Sequence, residues 1–492
     1  MLFNSYVFVL VFLPLAVIFY HLINKSGKHA LAKVFLLAMS LWFYCYNDPE
    51  NVIVLILSIL INYLIVTYVF TGKNSASARK AGLIAGILIN VLSLLYFKYT
   101  GFFSEVLNDF FKTSFDFKAV LSPLGISFFT FSQIAYIVDS YRDPETKYSL
   151  LDYSLFIAFF PKISVGPIAF AKEMVPQFND SLRKGANYDN IAKGLFMFSF
   201  GLAKKALLAD NLAVIVDWSY KNMVAVDSLV ALIMVFGYTM QIYFDFSGYC
   251  DMAVGICLML NIDLPLNFDS PYRALSIDDF WKRWHITLTR FFRQYVYFPL
   301  GGNRKGKART YLNIFLIFLL SGFWHGADYT FILWGIIHGV AMCLSKAFGK
   351  YTAKLPKALR FTFTFIYINL TWVFFRAPSI SEALAVIKTL FSFRFHTLDQ
   401  ITGFVVSVMP AEGEVFQWLF ALDHPNGAKI SGLIIILLIV LTATLASTLL
   451  KSPYERIQNF KPSKKLLFIT VFLFVWSIIS LSQISKFIYT NF

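Results

Sequence analysis

The sequence predicts an all-α fold, a polytopic bundle of transmembrane helices with short re-entrant or interfacial pieces in its middle. Two observations carry that class. Of 492 residues, 58% are hydrophobic and 14% charged, whereas about a quarter of an ordinary soluble domain is charged; mean hydropathy is +0.64. Apolar stretches also recur that are long enough to cross roughly 30 Å of hydrocarbon as helices: Phe8–His21 extended back to Leu2, Asn51–Phe70, Ala81–Phe97, Ile430–Leu450 and Leu466–Leu481.

From the start, MLFNSYVFVLVFLPLAVIFY has neither the basic n-region nor the small-residue cleavage site of a secretory signal peptide, so it reads as a retained first membrane helix. The first connection carries Lys25, Lys28 and Lys33, the second (NDPEN) is acidic, and the third carries Lys73, Arg79 and Lys80. The positive-inside rule then puts the N-terminus outside the cytoplasm. Near the far end AEGEVFQWLFALDHPNGAK is weakly acidic and KSPYERIQNFKPSKK basic, which places the C-terminus outside as well. An even number of crossings follows, about ten to twelve on the hydropathy pattern. No polar segment suffices for a soluble domain and no internal repeat is visible. The chain is therefore one integral membrane domain, with plain spanning helices over 1–118, a core over 119–345 and further helices over 346–492.

The net charge of +15, from 43 basic and 28 acidic residues, is explained by this topology rather than by nucleic acid. The four cysteines form no CxxC pair, which argues against a zinc site or a disulfide framework. No metal is expected.

The core is where the pattern breaks. PLGISFFTFSQIAYIVDSYRDPE opens on a Pro-x-Gly break, and SLFIAFFPKISVGPIAF is interrupted by Pro161, Lys162, Gly166 and Pro167. Such breaks at lipid depth free backbone groups that the protein itself must satisfy, so they line cavities or protein contacts. GLAKKALLAD sets Lys204, Lys205 and Asp210 between apolar flanks, and QIYFDFSGYCDMAVGICLML sets Asp245, Ser247 and Asp251 in a spanning run. An intramembrane charge is expensive. The lysines read equally as structural ion pairs, snorkelling residues or functional groups; Asp245, Ser247 and Asp251 read as cavity-lining or helix-clamping.

A basic cytoplasmic segment follows, over 271–309. Between Lys282 and Arg309 it holds eight Lys or Arg and no acid, interleaved with aromatic residues, and His285 sits beside Trp284. That composition suits a stretch lying in the interface, and a basic vestibule attracts a polyanionic cosubstrate. Within it Gly301–Ala308 mimics a phosphate-binding loop, but Ala308 stands where Ser or Thr must hold magnesium, and a membrane span follows. The glycines make a turn.

The pieces PLGISFFTFSQIAYIVDSYR, FPKISVGPI, GLAKKALLAD, YFDFSGYCDMAVG, NFDSPYRALSIDDFWKRWHITLTRFFRQYVYFPLGG, SGFWHGADYTFILWGIIHG and WVFFRAPSISEAL run in order from about residue 121 to 384. Together they resemble the membrane-bound O-acyltransferase family, in its bacterial alginate O-acetylation branch. The resemblance implies many helices around a central tunnel, and an enzyme taking an acyl group, most simply acetyl, from a cytoplasmic thioester for O-acetylation of a cell-surface or exported polysaccharide. It implies His325, of the WHG piece, as the catalytic histidine and His285, of the WHI piece, as a second active-site histidine. The implied donor is acetyl-CoA or a carrier-linked acyl thioester, and no bound cofactor is implied. The implied partners are the lipid bilayer and an extracytoplasmic SGNH or esterase-like acetyltransferase, and the implied location is the inner membrane. Cys250 stands where the pattern usually has serine, Gln294 where aspartate is expected and Phe323 where leucine is common.

Imidazole is suited to take and return a proton near neutral pH, as attack of a hydroxyl on a thioester requires. Asp328, three residues after His325, either shares a helix face with it and orients the ring or caps the next helix. Trp324 and Trp284 line the site or pack. His338 lies ~220° around an ideal continuous helix from His325 and is not expected as a direct partner. His21, His29, His396 and His424 read as incidental. Alternative readings are peptidoglycan O-acetylation, D-alanyl transfer to teichoic acid, and a transporter or flippase. Broken helices suit the last, but it predicts inverted repeats that the sequence does not show.

Overall fold

A computed structural model describes residues 1–71, 74–114, 121–144, 147–395, 427–449, 452–482 and 487–488. His396, His424 and the acidic loop used to orient the C-terminus lie outside them. Among the described residues every regular element is helical, and seven helices are long and apolar enough to cross a membrane. The chain is a multi-pass membrane protein.

The first four of these are α1 (Phe8–Lys25), α2 (His29–Asn47), α3 (Val52–Val69) and α4 (Ala76–Phe111). With so much apolar surface facing lipid, polar side chains do the joining. Asn62 of α3 and Asn90 of α4 exchange amide hydrogen bonds, Asn90 Nδ2 donating to Asn62 Oδ1 at 2.6 Å.

Next come α5 (Ile126–Arg142), α6 (Leu150–Ala158) and α7 (Ala171–Asn179). The Pro-x-Gly break is the start of α5: Gly125 has φ +69°, and a Cβ there would fall 1.9 Å from the Ile163 carbonyl oxygen. Only glycine fits. The expected interruption at Pro161 and Pro167 is a buried stretch without regular α-helix, 159–170, between α6 and α7. Its backbone is satisfied by side chains from elsewhere, as depth in a membrane demands. Phe160 N donates to Ser40 Oγ, Ile168 N to Thr287 Oγ1, and Arg290 reaches the Ile168 carbonyl.

The centre is α8 (Tyr188–Ala203), a π turn (Lys204–Ala209), α9 (Asp210–Lys221) and α10 (Ser228–Met259). Glycines let α8 and α10 touch backbone to backbone; a Cβ at Gly201 would lie 2.5 Å from the Gly248 carbonyl oxygen. α10 is the most enclosed of the seven spanning helices. The basic segment forms two short helices, α11 (Ile277–Arg283) and α12 (Ile286–Phe292). Then follow α13 (Lys307–His325), α14 (Tyr329–Thr352), α15 (Lys357–Arg376) and α16 (Ile380–Leu390). The last helices are α17 (Gly427–Leu449), α18 (Pro453–Gln458) and α19 (Lys464–Ile479).

Candidate active site

His325 is the last residue of α13, and Gly326 continues in extended backbone. The helix break decides between the two readings of Asp328 and puts His338 on a different helix from His325. Asp328 has no i, i+3 relation to His325; its carboxylate accepts the Thr330 N–H at 3.0 Å and caps α14. His338 sits on α14, which folds back against α13 where Gly322 and Gly335 meet, and the Trp334 ring touches both histidines. His338 is held by Trp281 Nε1, 3.3 Å from its Nδ1, and by Thr371 Oγ1, 3.1 Å from its Nε2.

His325 is only 3% exposed. Three aromatic rings stand edge-on to it: Trp324 at 4.8 Å, Trp334 at 5.3 Å and Phe375 at 5.1 Å between centroids. Its backbone is fixed from α4. The last carbonyls of a helix have no partner within it. Here Tyr99 OH donates to the Phe323 carbonyl at 2.5 Å, and the Lys98 ammonium donates to those of Trp324 at 2.5 Å and His325 at 3.1 Å. A cation at this end also complements the helix dipole.

Replacing Lys98 by Met leaves two carbonyls without that donor, at about 1–3 kcal/mol each where burial is complete. Faster hydrogen–deuterium exchange over residues 322–326, reversed by Lys98→Arg, is the expected outcome. Unaltered exchange would show that α4 does not hold this turn. In the sequence Lys98 and Tyr99 stand just past the apolar run Ala81–Phe97, which hides their part in the site. The signal was present: a lysine inside a spanning helix is a site by default.

His285 is 1% exposed and caps α12 with left-handed backbone, φ +45°. Its Nδ1 lies 3.1 Å from Asn267 Oδ1, and its ring stands edge-on to Phe246 of α10 at 4.8 Å. Trp324 lies between the two histidines, 6.2 Å from His285, with its other contacts to Phe128 and Phe131 of α5. Trp284 turns away into an aromatic cluster with Phe268, Phe280 and Trp372.

The charged residues at depth form ion pairs. Lys204 reaches Asp251 at 2.5 Å and Ser247 Oγ at 3.2 Å; Lys205 reaches Asp245 at 2.5 Å and Asp210 at 2.8 Å. These are contacts between helices, on a face of α10 that also accepts the Ile488 N–H through Asp245.

A cavity of about 270 Å³ opens between α11, α12, α13 and α14. Lys282, Arg293 and Asp278 are among its polar lining, Trp281, Leu288 and Phe318 among its apolar walls, and Ser321 lines it as well. Ser321 precedes His325 by four residues, one turn on the same helix face. Among the described residues no group of His, Cys, Asp and Glu is arranged to hold a metal. The arrangement offers two buried imidazoles separated by one indole, and beside α13 an apolar cavity with basic residues in its lining, whose Ser321 stands one helical turn before His325.

Residues 74–380, which include both histidines, match the family model of the membrane-bound O-acyltransferase family, MBOAT. The chain is 43% identical over 418 residues to the peptidoglycan O-acetyltransferase of Helicobacter pylori, covering 79% of each chain. It is 36% identical over 409 residues to the probable alginate O-acetylase AlgI of Pseudomonas aeruginosa, covering 82% of this chain and 77% of that one. A teichoic acid D-alanyltransferase of Bacillus subtilis is 33% identical over 247 residues, 48% of this chain and 62% of its own.

Proposed function

The chain belongs to the membrane-bound O-acyltransferase family, and we propose that it moves an acetyl group from a cytoplasmic thioester to a hydroxyl of a cell-surface or exported polysaccharide. The observation that supports this reading is the cavity lined by Lys282, Arg293 and Ser321, the last of them one turn before His325 on α13. Basic residues attract the phosphates of acetyl-CoA or the acidic surface of an acyl carrier, and apolar walls suit the uncharged thioester arm.

The acceptor hydroxyl loses its proton to the His325 imidazole as its oxygen attacks the thioester carbonyl. The C–O bond forms, the C–S bond breaks, and the departing thiolate recovers the proton. Enclosure by Trp324, Trp334 and Phe375 excludes water, which otherwise hydrolyses the thioester. His285 relays the proton or positions the donor. The acyl group passes either directly to polymer or through an extracytoplasmic SGNH-type partner, from an enzyme seated in the inner membrane with both termini outside.

Peptidoglycan is favoured over an alginate-like polymer as the acceptor, because the relative of that name shares more identity over a similar span. D-alanyl transfer has less support, since that match spans about half of the chain. The test is a deletion strain complemented with the chain, with base-labile acetate measured separately in purified peptidoglycan and in exported polysaccharide. Acetate restored in the peptidoglycan fraction is the expected result. Restoration in the exopolymer alone would replace the acceptor, and none in either fraction would sink the reading.

A further inference from the structure

Asn267 lies in the connection between α10 and α11, is 1% exposed, and gathers four groups. Its Oδ1 faces His285 Nδ1 at 3.1 Å, the Thr287 N–H at 3.2 Å and the Thr287 hydroxyl at 2.8 Å. Its Nδ2 donates to Cys250 Sγ at 3.3 Å. Its own carbonyl accepts the Ile286 N–H at 3.0 Å, which locks the strained turn at His285. That turn costs about 1–2 kcal/mol in a residue with a Cβ.

The network fixes two assignments. A backbone N–H only donates, so the amide atom facing Thr287 N is the oxygen; the flipped amide would set donor against donor. An amide oxygen only accepts, so the His285 nitrogen that faces it carries a hydrogen. His285 is therefore the Nδ1–H tautomer, and its basic nitrogen is Nε2.

We propose that Asn267 is a positioning residue that holds His285 in this tautomer, so that a relayed proton enters and leaves through Nε2 alone. The proposal rests on the proposed acyl transfer. A proton of the acyl transfer that reaches His285 enters at Nε2, giving an imidazolium with both nitrogens protonated. Nε2 then releases it to the thiolate formed when the C–S bond breaks. The ring returns to its starting tautomer, and its bond to Asn267 persists through the cycle. A neutral amide suits this task, because a carboxylate in its place would hold the imidazolium and slow the release. Cys250 acts one step further out: its sulfur takes one N–H of the amide and keeps Oδ1 turned towards His285.

A double-mutant cycle tests this, read as base-labile acetate in the envelope at matched protein levels. Asn267→Ala is expected to lower acetylation roughly tenfold to a hundredfold, less than the about hundredfold to ten-thousandfold of a lost acid–base group, because Asn267 acts through the His285 ring. In a His285→Gln background the same change is expected to have no further effect, since Asn267 acts through that ring. Asn267→Asp keeps the shape and the accepting oxygen and guards against misfolding. It should retain protein level and partial activity, with the acidic limb of the pH–rate profile moved to higher pH because its carboxylate stabilises the imidazolium. Equal losses from Asn267→Ala in both backgrounds, or an Asn267→Asp profile identical to wild type, would overturn the positioning role while leaving the acyl-transfer reading intact. Full acetylation by His285→Gln alone would instead remove His285 from the reaction.

Discussion

His325→Ala is expected to reduce base-labile acetate in the envelope by at least about a hundredfold, the lower range for loss of a positioned proton acceptor, while the protein accumulates normally. That factor corresponds to about 2.7 kcal/mol of transition-state stabilisation. The side chain is buried, but its removal leaves the end of α13 in place. Lys98 and Tyr99 hold the turn through backbone carbonyls, not through the imidazole. The loss should therefore be chemical, with little change in thermal midpoint. His325→Gln, closer in volume and still able to hydrogen-bond, should be equally inactive because it cannot take a proton near neutral pH. His29→Ala is the matched control: His29 starts α2, is exposed, and bonds only locally to Asn24 at 3.0 Å. Unchanged acetate in His325→Ala membranes would end the assignment of that histidine.

Fold class was readable because lipid imposes it: each segment must satisfy its own backbone, so apolar length alone reports a helix. The family was readable because its motifs are contiguous pieces of chain. What one segment does to another was not. Lys98 gains its meaning from the end of α13, more than two hundred residues away, and nothing local to the sequence of α4 says so. Asn267 was inside a quoted motif, but its four partners come from α10 and α12, so the motif gave its presence and not its task. Helix periodicity left two readings open at Asp328, and the break at Gly326, where α13 turns back onto α14, selects the capping one. The paired charges were the half-readable case. Asp245 and Asp251 were visible as expensive residues, but which lysine each takes depends on the π turn at Lys204–Ala209.

That turn leads to the largest expected stability effect. Lys205→Met leaves Asp245 buried beside α9 without its ammonium, and Asp210 loses the same partner. The Lys205 and Asp245 side chains are 1% and 3% exposed, so water cannot replace the pair. Breaking one side of a buried ion pair costs about 3–5 kcal/mol, and a fall of several degrees in the thermal midpoint of detergent-solubilised protein is expected. Adding Asp245→Asn to Lys205→Met should recover part of that loss. The amide removes the uncompensated charge, and its oxygen can still accept the Ile488 N–H that Asp245 now takes at 2.8 Å. The recovery separates electrostatics from packing, since both variants lack the same lysine stem. α10 also presents Phe246 and Cys250 to the His285 network, so acetylation should fall and partly recover in the same order as the midpoints. A double variant no more stable than Lys205→Met would mean that the lysine serves by filling space, and that the charges at the centre of this bundle are incidental to its stability.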